Sequence, residues 1–162
     1  MDGATLNTPV GMLRIFADSS ALCRIAFPGE AGLSADPAPA GHPLLGQAKA
    51  QLMEYFAGKR RHFDLPLTPQ GTAFQQAVWA MMRQIPYGAT STYGAIAAEL
   101  GHPNKARAVG GAAGKNPLPI VIPCHRVVGS SGRLTGFSGG LEIKQFLLAL
   151  EAGCPQNLTC QQ

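Results

Sequence analysis

A chain of 162 residues, 46% hydrophobic and only 14% charged, has the length and apolar content to bury a core, which excludes a solvated disordered segment and a disulfide-stapled miniprotein. Twenty glycines and 13 prolines are scattered without period, so many turns are expected but neither a collagen-like repeat nor a linker. The net charge of +4 is unevenly placed: residues 1–70 are balanced, whereas residues 71–162 carry seven basic groups against Glu99, Glu142 and Glu151, which suits either a polyanionic partner or simple solubility.

In chain order, residues 8–17 alternate and residues 21–27 follow before Pro28-Gly29, a pattern that fits two short strands, as in a hairpin. Residues 29–43, rich in Gly, Ala and Pro, read as a loop. Leu44, Leu45, Ala48, Leu52, Tyr55 and Phe56 recur at helical spacing until Gly58, and residues 63–67 can add an edge strand restricted by Pro66. Around Pro69-Gln70-Gly71 the character changes. Thr72-Ala73-Phe74-Gln75 has the form of a capping box, opening a helix with Phe74, Val78, Trp79, Met82 and Ile85 on one face. Pro86-Tyr87-Gly88 ends it; Ser91 or Thr92 caps a second helix through Leu100; after the turn at Gly101-His102-Pro103-Asn104 a third runs to Gly114. This pair fits a helix-turn-helix with Lys105, Arg107 and Lys115 available to phosphates, and equally an ordinary helical hairpin with solvated charges.

Residues 114–128 are the most informative stretch. An apolar run bracketed by Pro117, Pro119 and Pro123 forms a stiff, buried lead-in to Cys124 and His125. A thiol is a strong nucleophile only as thiolate, so an imidazole base or a helix N-terminus is the expected companion. Neighbouring side chains on extended backbone point apart, so His125 would reach Cys124 through a turn or a bridging water. The four cysteines, Cys23, Cys124, Cys154 and Cys160, show no C-x-x-C spacing, and together with His42, His62, His102 and His125 they make no convincing zinc set; no metal and no cofactor is expected. No apolar run approaches the ~18 residues of a membrane span and the start lacks the pattern of a signal peptide, so a cytoplasmic protein without a membrane partner is expected.

Pro123-Cys124-His125-Arg126-Val127 resembles the active-site signature of the methylated-DNA–protein-cysteine methyltransferases, the 6-O-alkylguanine-DNA alkyltransferases. Tyr93, the run Arg107-Ala108-Val109-Gly110-Gly111-Ala112, Asn116-Pro117, Ser138-Gly139-Gly140 and Leu148-Ala149-Leu150-Glu151 fall in that family's order and spacing. The resemblance covers residues 71–153, with residues 1–70 matching as the short domain expected in front. It implies an α/β plus α architecture: a ribonuclease-H-like supporting domain over 1–70, a helical, winged-helix-like domain with a helix-turn-helix over 71–153 for DNA binding and alkyl transfer, and a tail over 154–162.

The implied reaction is stoichiometric. Cys124 thiolate attacks the alkyl carbon on the guanine 6-oxygen, or on the 4-oxygen of alkylthymine, and keeps the alkyl group as a thioether. His125 serves as base through water, and Glu151 orients it. Tyr93 approaches a ring nitrogen of the leaving guanine, and Asn116 braces the active-site turn. The resemblance further implies that the Ser138 N–H faces the 6-oxygen, that the Cys124 and Val127 carbonyls accept from the exocyclic amine, and that residues 129–137 wall the pocket. The target nucleotide must leave the base stack, and Arg107 matches the residue that fills its place. The second helix of the pair enters the minor groove of double-stranded DNA, with Tyr93, Lys105, Ala106, Ala108, Lys115 and Arg126 in the expected DNA-contacting set and weak sequence preference. Phe137 stands where tyrosine is frequent and Ala113 where some members have a larger apolar residue, so both bear on which bulky alkyl groups fit. A metal-free, stand-alone monomer is expected. A non-catalytic alkylated-DNA-binding relative lacks the cysteine that Cys124 supplies; a helix-turn-helix regulator explains neither Cys124-His125 nor Glu151; a cysteine hydrolase should turn over repeatedly.

Overall fold

The computed structural model describes residues 1–33, 36–37, 41–134 and 137–153. The expected tail, with Cys154 and Cys160, and Thr135 and Gly136 of the expected pocket wall lie outside the described residues, as do residues 34–35 and 38–40 of the expected loop. The chain divides into two units, Met1–Gln70 and Gly71–Gln162.

In the first unit, β1 (Asp2–Thr8), β2 (Gly11–Ala17), β3 (Leu22–Ala26) and β4 (Asp36–Pro37) form a sheet in the order β3-β2-β1-β4. The first strand expected from Thr8 is corrected here. The hairpin turn falls at Pro9-Val10, and Asp2–Thr8 is a further strand, antiparallel to β2 from Asp2↔Ala17 to Thr8↔Gly11. Only Leu6 is buried in β1, so it carries no apolar alternation; pairing to β2, where Leu13 and Ile15 are fully buried, recruits it. The expected edge strand over residues 63–67 reduces to one bridge, with the Leu22 N–H donating to the Pro66 carbonyl at 2.8 Å and the Thr68 N–H donating to the Leu22 carbonyl at 3.1 Å. Helix α1 (Pro43–Phe56) starts at His42, whose Nδ1 accepts from the Leu45 N–H, and packs its buried Leu45, Ala48, Leu52 and Tyr55 face on the sheet.

The second unit is helical. The capping box at Thr72 is formed: its Oγ1 accepts from the Gln75 N–H at 3.1 Å while Gln75 accepts from the Thr72 N–H at 2.9 Å, opening α2 (Ala73–Arg83). Val78, Trp79 and Met82 are its buried face. Thr92, at the end of the two-residue strand β5 (Ser91–Thr92), caps α3 (Tyr93–Glu99) by accepting from the Ala95 N–H. A tight turn through Gly101, at φ +82° where a side chain would be strained, leads to α4 (Ala106–Gly114). Trp79 bolts α2 to α4 by donating Nε1–H to the Ala112 carbonyl at 2.8 Å.

From Asn116 to Val128 every residue is buried. The proline-rich lead-in is a set of overlapping turns rather than an extended strand. The Ile122 N–H donates to the Leu118 carbonyl, the Cys124 N–H to the Ile122 carbonyl, and Ile120 sits at φ +74°, a left-handed conformation uncommon for a β-branched residue. Asn116 ties the turns together, Nδ2 donating to the Ile122 carbonyl at 2.8 Å and Oδ1 accepting from the Leu118 N–H at 2.9 Å. The chain then makes one 3₁₀ turn, Cys124–Arg126, and enters β6 (Val127–Val128), which pairs in parallel with β5. Helix α5 (Leu141–Glu151) packs on that turn through Lys144, Leu147, Leu148 and Glu151.

Candidate active site and nucleic-acid interface

The 3₁₀ turn resolves how adjacent residues can share one task. It buries Cys124, His125 and Arg126 together against the end of α5, where an extended strand would have turned alternate side chains apart. His125 is fully buried, and its Nε2 lies 2.5 Å from Oε2 of Glu151. Burial alone would raise the Glu151 carboxyl, but the hydrogen bonds from His125 and Arg126 and the charge of the Arg126 guanidinium outweigh it and hold the group well below the ordinary carboxylate range. Glu151 is therefore ionised and can only accept, which assigns the imidazole proton to Nε2 and leaves Nδ1 as an acceptor. Nδ1 is buried and, among the described residues, makes no hydrogen bond. Burial pushes the imidazole's own affinity for a second proton below the ordinary value, against the pull of Glu151, so the ring is neutral and basic.

Cys124 is 5% exposed, and burial pushes its thiol up to about 11, opposed by a hydrogen bond from Asn116 and by the charge of Lys144. At neutral pH it is a thiol and needs a base to become a nucleophile. The neighbouring imidazole has the free lone pair to act as one.

Lys144, which the sequence patterns did not single out, is fully buried. Its ammonium donates to the Val127 carbonyl at 2.7 Å and to the Tyr93 hydroxyl at 3.5 Å, and lies 5.8 Å from the centre of the Tyr93 ring. One cation thus links the phenol that opens α3 to the strand leaving the reactive turn. A signal for it was present: Lys144, Leu147, Leu148 and Glu151 recur at i, i+3, i+4 and i+7, which puts Lys144 on the face of α5 that carries Glu151. Tyr93 is half-buried beneath α4; a Cβ at Gly110 would sit 3.8 Å from its ring.

Arg126 corrects one expectation. It was expected among the DNA contacts, but it is 6% exposed, and its guanidinium is used internally. Nε donates to Glu151 Oε1 at 2.7 Å, Nη2 to Oε2 at 3.1 Å and Nη1 to the Ile85 carbonyl at 2.7 Å. A guanidinium so engaged inside the fold is not presented to phosphate. Of the other residues expected at DNA, Lys105, Arg107, Ala108 and Lys115 are exposed on or beside α4 and Ala106 is half-buried. Val109, Ala112 and Ala113 form the buried face of that helix. Lys105 lies 6.0 Å from the centre of the Phe74 ring. In the loop before α5, Phe137 is half-buried and Ser138 exposed, in a turn closed by the Gly140 N–H donating to the Phe137 carbonyl at 2.9 Å. Val127 is fully buried, its carbonyl already accepting from Lys144 with one lone pair remaining.

Comparison with known proteins bears on both units. Residues 3–69 match the family described as 6-O-methylguanine DNA methyltransferase, ribonuclease-like domain, and residues 73–153 match that described as 6-O-methylguanine DNA methyltransferase, DNA binding domain. The methylated-DNA–protein-cysteine methyltransferase of Methanosarcina acetivorans is 42% identical over 153 residues, covering 93% of this chain and 98% of that protein. The protein of the same name from Haemophilus influenzae is 45% identical over 150 residues, 89% and 82% of the two chains. Among solved structures, that of Mycobacterium tuberculosis OGT in complex with DNA superposes with a TM-score of 0.89 at 41% identity, covering 96% of each chain.

Proposed function

The chain belongs to the 6-O-methylguanine DNA methyltransferase family, and from that premise we propose that it repairs alkylated DNA by moving the alkyl group of a 6-O-alkylguanine onto Cys124. It is a methylated-DNA–protein-cysteine methyltransferase that acts on DNA and works once per molecule. A DNA substrate supports a location in the cytoplasm with the chromosome; no helix among the described residues is long and apolar enough to cross a membrane.

The observation that carries the mechanism is the buried His125, held by Glu151 on one nitrogen with the other left as a lone pair. His125 Nδ1 takes the Cys124 proton, directly or through one water. The thiolate sulfur forms a bond to the alkyl carbon as the bond from that carbon to the guanine 6-oxygen breaks. Tyr93 supplies the proton that the leaving guanine needs at a ring nitrogen, and the Lys144 ammonium, within hydrogen-bond reach of the phenol oxygen, stabilises the phenolate left behind. The product thioether holds no bond that water or thiol cleaves, so the protein is spent. Asn116 keeps the turn that presents the sulfur, while Val127, Phe137, Ser138 and Ala113 line the base pocket.

The target atom lies inside the stack, so the nucleotide must be turned out. Arg107, exposed on α4, fills the gap, and the small residues beside it let the helix approach the minor groove closely. Lys105, Ala106, Ala108 and Lys115 complete the contact, which reads backbone rather than sequence.

The test is peptide mapping by mass after incubation with a duplex carrying 6-O-methylguanine. One added methyl on the Cys124 peptide is expected, and none in Cys124→Ser. A methyl on another residue, or demethylated DNA with unmodified protein, contradicts the mechanism.

A further inference from the structure

We propose that Arg126 is a positioning residue of the alkyl-transfer site: its guanidinium clamps the Glu151 carboxylate so that one oxygen faces His125 and keeps the imidazole in the tautomer whose Nδ1 accepts a proton. The proposal rests on the reading of Cys124 and His125 given above.

The geometry is a fork on a fork. Nε and Nη2 of Arg126 take the two oxygens of Glu151, and Oε2 is shared with His125. Such planar, bidentate contact fixes both the rotation and the position of a carboxylate, which a single bond to an imidazole does not. The clamp is itself anchored. Nη1 donates to the Ile85 carbonyl just beyond α2, and the Tyr87 ring centre lies 5.7 Å from the guanidinium carbon. Gly88, at φ +81°, brings its N–H to within 3.4 Å of Glu151 Oε1, and a Cβ there would press on the Glu151 carbonyl at 3.3 Å. The segment after α2 thus closes around the same carboxylate.

The arrangement also sets the charge around His125. The imidazole meets the Glu151 carboxylate directly and feels the charges of Arg126 from the turn and Lys144 from α5, while the neutral Ile85 carbonyl and Tyr87 ring from the α2 side lie against Arg126 and the Gly88 N–H against Glu151. The two cations oppose protonation of the imidazole while Glu151 favours it. Removing Arg126 leaves the carboxylate less neutralised and takes away one opposing charge. Both changes make His125 keep its second proton up to a higher pH, and while it carries that proton it is no base.

The experiment follows alkyl transfer by the full chain from pH 5.5 to 9, using free 6-O-benzylguanine and a duplex carrying 6-O-methylguanine, for wild type, Arg126→Gln and Arg126→Lys. Arg126→Gln is expected to slow both substrates by the same factor and to move the acid limb of the rate profile up by about one pH unit, about tenfold slower on that limb. Arg126→Lys should keep the wild-type limb, because the charge remains, yet run slower at every pH because the bidentate clamp is lost. Loss on the duplex alone would return Arg126 to the phosphates, and an unshifted limb in Arg126→Gln would reduce it to packing; either overturns the proposal, as does an Arg126→Lys variant at full rate. If Arg126→Gln does not fold, Arg126→Lys and the ring ¹⁵N signals of wild-type His125 decide, a proton on Nδ1 contradicting the proposal. A wild type that fails to transfer to Cys124 would instead overturn the underlying mechanism.

Discussion

At the scale of single residues, the site solves a conflict between burial and reactivity. Cys124 must be enclosed to meet an alkyl carbon away from water, yet enclosure pushes its thiol up to about 11 and so away from the reactive thiolate. In the proposed mechanism the adjacent imidazole, kept neutral by burial and held by Glu151, supplies the missing base. His125→Asn should therefore slow alkyl transfer to free 6-O-benzylguanine about 100-fold or more at pH 7. Its rate should then climb about tenfold per pH unit up to pH 9.5, as hydroxide does what the imidazole did, while the wild type stays nearly flat over the upper part of that range. A variant whose rate is flat with pH would mean that His125 is not the base. The pairing of His125 with Glu151 was legible in the sequence because Cys124-His125 and Glu151 fall in the order and spacing of the family that the chain resembles. Arg126 is placed among the DNA contacts by the sequence and Lys144 is given no role, because a basic side chain in the basic half of the chain looks like a phosphate contact or a solvated charge until its burial is known. Only the fold reveals that one clamps Glu151 and the other bridges Tyr93 and Val127.

At the scale of elements, local rules fixed most helices and failed where pairing decides. The capping box at Thr72, the helix break at Pro86 and the apolar face of α1 are local signals, and each element formed where they placed it. The strand Asp2–Thr8 has one buried residue and exists because β2 pairs with it, a non-local cause that no window of sequence contains. The overlapping turns held by Asn116 were likewise hidden, since a proline-bracketed apolar run looks extended. Helix α4 presents small residues and the exposed Arg107 on one side and buries Val109, Ala112 and Ala113 on the other. Arg107→Ala should slow repair in duplex DNA about tenfold or more while leaving reaction with free 6-O-benzylguanine within twofold of wild type. Equal loss on both substrates would remove Arg107 from the flipping step and make it a structural residue.

At the scale of the whole molecule, the charge excess over residues 71–162 falls on the unit that carries both Cys124 and the exposed α4, which suits one task of gripping DNA and taking its alkyl group. The same buried network makes stability depend on pH with a definite sign. In the folded state His125 resists a proton that the unfolded chain takes up below its ordinary value of 6.5, so stability falls as pH drops through 6.5. Glu151 adds a second stage: its contribution is fully present above the ordinary 4.5 and is lost as pH falls from there towards about 2. Calorimetry between pH 7.5 and 5 should show Tm falling in wild type and falling distinctly less in His125→Asn; equal slopes would mean that His125 is protonated in the folded protein. The central claim is that one buried cysteine takes one alkyl group and is then finished. Titrating a fixed amount of protein with excess duplex carrying 6-O-methylguanine, and counting guanines restored per molecule at long times, tests it most directly: a plateau at one is predicted, and restoration that continues past one contradicts it.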